Sequence, residues 1–478
     1  MFYEGMEFGN YDRAERKADK AHELYEDGQV SQALEELETA LEINPTNSSW
    51  HFDKGLALDS MHRFEEAIKE YETALELSPG DLEILNSLAV DYTRTGQYDR
   101  AIETFEYVQH LDSGFEPAYC NRIIAYTEMG LHELAEQMFY LAQQINPTCA
   151  LCYYNIGNSL YVRGQYQKAI GCWQRTAELE PTHPQINYRI AQAHWALGHR
   201  DEAKEYFLTE LRGNPGDLDV IFDYGLFLMG LGDLEAAREK FNRVLEFDPD
   251  HAMSLFYRGE IALYEGHEAQ AMDFFNQSLQ QDDSLPGPYF RLAQHAIQRN
   301  KWQKARAYLI SELRNVNDNS DVLMAMGSMF LMIAQQNQEE REPSKGRSAF
   351  GCNDLDHAGH CLLRAVEMDP SNAEVHYYLG LASAMKGLDD QALDFFGRAL
   401  EIDPGHIPAL RDAARVHLRN GNPNQAAQMI GQALDLSDTD RDSHDIKSLA
   451  RKCQEERWVG MLQSWMGRIK GKWPFSRD

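Results

Sequence analysis

The sequence predicts an all-α solenoid of about twelve helical hairpins, because two residue types keep the same 34-residue beat. Alanine stands at Ala33, Ala67, Ala101, Ala135, Ala169, Ala203, Ala237, Ala271 and Ala305, then again at Ala358, Ala392 and Ala426. Proline follows twelve residues after a ladder alanine at Pro45, Pro79, Pro147, Pro181, Pro215, Pro249, Pro370 and Pro404. Both series carry the same 19-residue surplus, from Ala305 to Ala358 and from Pro249 to Pro370. One insertion at one place accounts for both. Hairpins of this kind bury their apolar faces on their neighbours, so the repeats share a continuous core.

Residues 1–13 read as a lead-in. Repeats then run 14–47, 48–81, 82–115, 116–149, 150–183, 184–217, 218–251, 252–285 and 286–319, with a long tenth over 320–372 and two more at 373–406 and 407–440. In nearly every one the first helix carries Gly or Ala at its eighth position, as in Gly55, Ala89, Gly157, Ala191 and Gly259. A small residue there lets two backbones approach closely. Seven residues on comes a turn glycine (Gly96, Gly130, Gly164, Gly198) that admits a positive φ. The ladder alanine follows, and one helical turn later an aromatic (Tyr71, Phe105, Phe139, Trp173, Phe207) to fill the space beside the close contact. Proline then ends the second helix.

The insertion lies between the two helices of repeat ten, at about 335–356, "QQNQEEREPSKGRSAFGCNDLD". Its polarity suggests that the first helix overruns and a loop returns the chain, either as a binding element or as a tolerated surface excursion. Residues 441–456 read as a capping helix, with Ile446, Leu449, Ala450 and Cys453 on one face. From Arg457 the tail turns basic and amphipathic, with Trp458, Leu462, Trp465, Met466 and Ile469 as an apolar stripe. Packing on the solenoid's own end, a partner groove and a membrane surface are its three readings.

The run "YYNIGNSLYVRGQYQKAIGCWQRTAELEP" at 153–181, repeated in pattern over 14–440, resembles the tetratricopeptide repeat family. That resemblance implies a right-handed superhelix whose first helices line a concave groove for extended peptides or partner helices. It also implies inward positions at the second, fifth, ninth, twelfth and thirteenth of each repeat. On this chain they place an aromatic fifth residue in five consecutive repeats, Tyr154, Tyr188, Phe222, Phe256 and Phe290, with Asn158, Gln192, Trp195 and Met229 beside them. Rings and amides in alternation suit a peptide, although an aromatic here also shapes the groove by itself. Some members of the family hold a terminal carboxylate with lysine and asparagine in the first repeat; this chain has Ala18 and His22 there. In repeat twelve, Arg411, Arg415 and Arg419 share one inward face, either to grip an acidic ligand or to pair with nearby acids.

The net charge of −31 disfavours nucleic acid and favours a basic partner, or simply keeps a long solenoid soluble. Seven cysteines, an odd number, argue against a disulfide framework and suit a reducing cytoplasm. With neither a signal-peptide pattern nor a long apolar run, a soluble, cytoplasmic chain is expected. No catalytic motif stands out, so the expected class is a protein-binding scaffold or assembly factor, without cofactor or metal. A peripheral membrane adaptor and a metal- or redox-responsive regulator are the alternatives. Two groupings bear on the latter. Cys149 and Cys152 form a C-x-x-C, read either as small packed residues or as a reactive pair lacking two further zinc ligands. Cys352, His357, His360 and Cys361 follow the insertion. Oligomeric state and partner identity are not encoded in the pattern.

Overall fold

The structure, a computed structural model, describes residues 4–316, 319–339, 350–436 and 446–454. The basic tail, 457–478, lies outside the described residues. All regular structure among the described residues is helical. Two compact units divide the chain, Met1–Gly232 and Asp233–Asp478. The first holds thirteen helices, from Glu4–Glu26 to Leu218–Gly230. Among its described residues the second holds eleven, from Leu234–Phe247 to Pro423–Leu436, and a further helical stretch at 446–454.

Each hairpin closes in the way its residues dictate. All twelve ladder alanines are fully buried. A Cβ placed on Gly55 would meet the Tyr71 ring at 2.3 Å, and one on Gly157, Gly259 or Gly380 would meet Trp173, Phe275 or Phe396 at 2.5 Å. Small residue and large ring are therefore complementary halves of one contact. Repeat four shows the converse. Its eighth position is Ile123, fully buried, and Phe139 is only half-buried, turned toward Tyr140 and Tyr153. The isoleucine already fills the space that Phe139 was expected to take.

The turn position keeps a positive φ whatever residue stands there. Gly96, Gly130 and Gly164 have φ of 71–73°, and His62 and Asn300 hold 58° and 55° without being glycine. Several first helices are capped from the last position of the preceding repeat, where a side chain accepts the free N–H groups. Asp81, Asp217 and Asn372 serve as these caps, and so do His251 and His406, whose Nδ1 atoms each accept a backbone N–H at 3.1 Å. Gly287, which has no side chain to offer, is relieved from across the hairpin. There the buried Glu312 carboxylate accepts the N–H of Gly287 at 2.7 Å and of Phe290 at 3.0 Å.

An offset of one period plus one residue recurs in the contacts between adjacent first helices. Asn121 Nδ2 donates to Asn86 Oδ1 at 3.1 Å, Asn155 Nδ2 to the Cys120 carbonyl at 3.0 Å, and Tyr188 Oη to Asp223 at 2.6 Å. In the second unit Tyr377 Oη donates to Asp412 at 3.0 Å.

Repeat ten differs from the expectation of one overrunning helix and a loop across 335–356. Both its helices are long, Ser320–Glu339 and Phe350–Met368, so helix enters the inserted stretch from either side. Asp354, fully buried, explains the second extension: Arg306 Nε donates to it at 2.5 Å and Asn337 Nδ2 at 3.2 Å. At the end of the chain Ile446 and Cys453 are buried against Leu410, Ala414 and Ile430, with Leu449 and Ala450 partly packed beside them. This is the capping face that the sequence predicts.

Candidate functional site

The fifth-position side chains are not equivalent. Tyr188 is buried, and its hydroxyl is used within the protein: it and Gln192 Nε2 both donate to Asp223 Oδ2, at 2.6 and 2.9 Å. Burial first, and then the adjacent carboxylate, push the Tyr188 phenol far above its usual range. Tyr154 is half-buried, its ring 4.5 Å from that of His183. Phe222, Asn158, Trp195 and Met229 are also half-buried, Trp195 standing 5.7 Å from Phe227. In the second unit Phe256 leans on Phe275 and closes over Gly287, where a Cβ would come within 2.8 Å of its ring. Phe290 is half-buried beside Arg291, which forms a two-pronged ion pair with Glu260 at 2.6 and 2.7 Å. First helices thus present ring faces and amides, and part of that set is already committed to neighbouring repeats.

The arginines of repeat twelve pair with neighbouring acids, Arg415 and Arg419 from exposed positions. Arg411 and Arg415 both reach Asp412, at 3.1 and 2.6 Å, and Arg419 pairs with Asp389. Asp412 is buried and also accepts from Tyr377. The arrangement is that of three cations neutralising two carboxylates, the pairing alternative stated above.

Two cysteine groupings fare differently. Cys361 is sealed in the core, its thiol pushed up to about 12 by burial, while His360 on the same helix is exposed and His357 lies against Phe330. These side chains do not converge; the Cys352 side chain lies outside the described residues. Cys149 and Cys152, by contrast, are joined by Cys120 and Glu116 from the first helix of repeat four. The four ligand atoms all lie within 4.8 Å of one another. Cys120 and Cys152 are disulfide-bonded, and Cys149 Sγ stands 3.5 Å from Cys120 Sγ. Burial first, and then the Glu116 carboxylate, raise the Cys149 thiol to about 11.

Comparison with known proteins finds the repeat in several stretches of the chain. Tetratricopeptide repeat models match residues 18–81, 52–114, 222–286 and 344–407, and others match 150–183 and 387–451. A model described as YpiA-like, C-terminal tetratricopeptide repeats matches 184–251. The chain belongs to the tetratricopeptide repeat family. Proteins of this family generally mediate protein–protein interactions and are typically not enzymes. No curated protein sequence matches the chain. Among solved structures, a tetratricopeptide repeat protein from Parabacteroides merdae is 16% identical and covers 55% of this chain and 99% of its own, with a TM-score of 0.42. Yeast Tom70 is 14% identical over 96% of this chain and 99% of its own, at a TM-score of 0.34. YrrB, whose structure is described as a TPR protein with an unusual peptide-binding site, is 20% identical over 44% of this chain and 97% of its own, at 0.36. Family membership rests on the repeat models, not on these likenesses.

The tetratricopeptide register also shows what reading along the chain misses. Cys120 and Glu116 lie about one period before Cys149 and Cys152, so a search for nearby ligand pairs passes over them. The odd cysteine count argued against disulfides, yet Cys120 and Cys152, 32 residues apart, are linked. The signal was the repeat itself: residues about one period apart meet wherever first helices adjoin.

Proposed function

We propose that this chain is an interaction scaffold, or assembly factor, that holds an extended peptide or helix of a basic partner protein along the first helices of repeats five to seven. The observation that carries this reading is a set of half-buried apolar and amide side chains at matching positions of three consecutive first helices: Tyr154 and Asn158, Trp195, then Phe222 and Met229. They stand beside ladder positions that are fully sealed. Apolar faces of this kind anchor side chains, and amides serve a peptide backbone. The net charge of −31 supports a basic partner and a fast, salt-sensitive approach. Tyr188 belongs to the frame beneath this surface, since its hydroxyl is already bonded to Asp223. The arginines of repeat twelve are left out of the proposed surface, because they neutralise Asp412 and Asp389. A cytoplasmic location is part of the proposal.

The test is fluorescence anisotropy with an array of extended peptides rich in Lys and Arg, with apolar residues at alternate positions. The full chain is compared with its Phe222→Ala/Met229→Ser variant. A loss of about tenfold or more in affinity, with unchanged helical content, is expected. Equal binding by the two proteins rejects the surface.

A further inference from the structure

At the junction of repeats four and five, three cysteines and a glutamate meet from two separate segments. Glu116 and Cys120 lie one turn apart on the helix Glu116–Glu128. Cys149 is the cap residue of the helix Ala150–Val162, and Cys152 sits in its first turn. The fifth position of the repeat, aromatic in the five repeats that follow, is Cys120 here. We propose that in the reduced protein Cys120, Cys149, Cys152 and Glu116 bind one zinc ion, which pins repeat four to repeat five.

Distances between ligand atoms support this. Four ligands around tetrahedral zinc, with Zn–S near 2.3 Å, stand about 3.5–3.8 Å apart. Cys149 Sγ lies 3.5 Å from Cys120 Sγ, and Glu116 Oε1 lies 2.8 Å from Cys120 Sγ and 3.2 Å from Cys152 Sγ. Small side-chain rotations would separate Cys120 from Cys152 and open the centre to an ion. In the reduced protein Glu116 Oε1 lies within reach of the Cys120 and Cys152 sulfurs, so the carboxylate can join the three thiolates as the fourth ligand.

Burial and the Glu116 carboxylate oppose a bare thiolate at Cys149, a charge that a bound cation would offset, and the backbone contributes in the cation's favour. Cys152 N–H donates to Cys149 Sγ at 3.2 Å, a bond that strengthens when the sulfur is a thiolate. Both residues lie at a helix N-terminus, where unpaired N–H groups and the helix dipole favour anions. Thiolate donors select zinc over magnesium or calcium, which take oxygen ligands. The disulfide and the metal are mutually exclusive, because the disulfide removes two of the four ligands.

The full chain, reduced and purified without chelator, is analysed for metal and titrated with an organomercurial while released zinc is measured. One zinc per chain is expected, released as three thiols react. Cobalt in its place should show thiolate-to-metal charge transfer and the intense visible bands of a tetrahedral centre. Cys149→Ser retains a good helix cap and should lose the zinc without losing helical signal. Glu116→Gln should weaken binding by about tenfold or more, and Cys172→Ser should leave it unchanged. Reduced protein that takes up no added zinc and simply re-forms the Cys120–Cys152 bond overturns the proposal. So does zinc retained by Cys149→Ser, or an ion other than zinc found in the site. None of these readouts depends on partner binding, so they stand or fall separately from the scaffold function.

Discussion

Replacing Gly157 with alanine tests whether the small residue and the facing ring are one unit. An added Cβ would lie 2.5 Å from Trp173 Nε1, 2.7 Å from Cδ1 and 3.0 Å from Cε2, against an ordinary contact distance of about 3.5–4.0 Å. The indole must shift by about 1 Å, yet it is almost wholly buried and donates to the Tyr154 carbonyl at 3.3 Å. Overpacking costs about 1–3 kcal/mol, and loss of the bond adds about 0.5–1.5 kcal/mol. Alanine returns about 1 kcal/mol through its helix propensity. The expected net loss is about 1–3 kcal/mol, localised to the helices Ala150–Val162 and Tyr166–Leu179. Because a repeat array need not unfold in one step, hydrogen exchange resolved to those helices is the suitable assay. The double variant Gly157→Ala/Trp173→Phe recreates the pairings Ala89 with Phe105 and Ala191 with Phe207, and should recover at least about 1 kcal/mol by coupling. Unchanged protection in Gly157→Ala, or strictly additive effects in the double variant, refutes the account.

Two other perturbations read local chemistry. Asp91 is fully buried near Asp59, and burial first, then that neighbouring charge, push its carboxyl up to about 7. A folded-state value above the unfolded one means that stability is fully present below about pH 4 and is lost as pH rises through about 7. Protection of the helix Leu82–Arg94, corrected for intrinsic exchange, should therefore fall between those values, and Asp91→Asn should flatten the fall and gain on the order of 1–2 kcal/mol at pH 8. A profile that rises with pH contradicts the assignment. Glu312→Ala should cost about 1–3 kcal/mol by stripping acceptors from the N–H groups of Gly287 and Phe290, as measured by exchange at those amides; unchanged rates there would remove the capping role.

The periodic part of this fold was legible because every repeat needs the same small-against-large contact, so Ala169 and Trp173 announce themselves by recurrence. Phe139 was misjudged as a filler because the pattern was read along one helix, whereas its space is set by Ile123 on the facing one. For Arg411, Arg415 and Arg419 both a ligand grip and pairing with nearby acids were open, since their spacing shows a shared face but not that Asp412 and Asp389 sit within bonding distance. Tyr188 was placed in the groove by position alone; its hydroxyl partner, Asp223, is 35 residues away and becomes visible only when adjoining first helices are compared. The same comparison would have brought Cys120 to Cys149 and Cys152.

That recurring offset makes the chain a structure without long memory. Tyr188 bonds to Asp223 before the insertion, and Tyr377 bonds to Asp412 after it, at the same separation. The 19 surplus residues therefore leave no trace one hairpin later, since each repeat takes its register only from the repeat beside it. Variation can accumulate at one rung, in length or in ligand chemistry, while the rungs above and below continue to be built to the same rule.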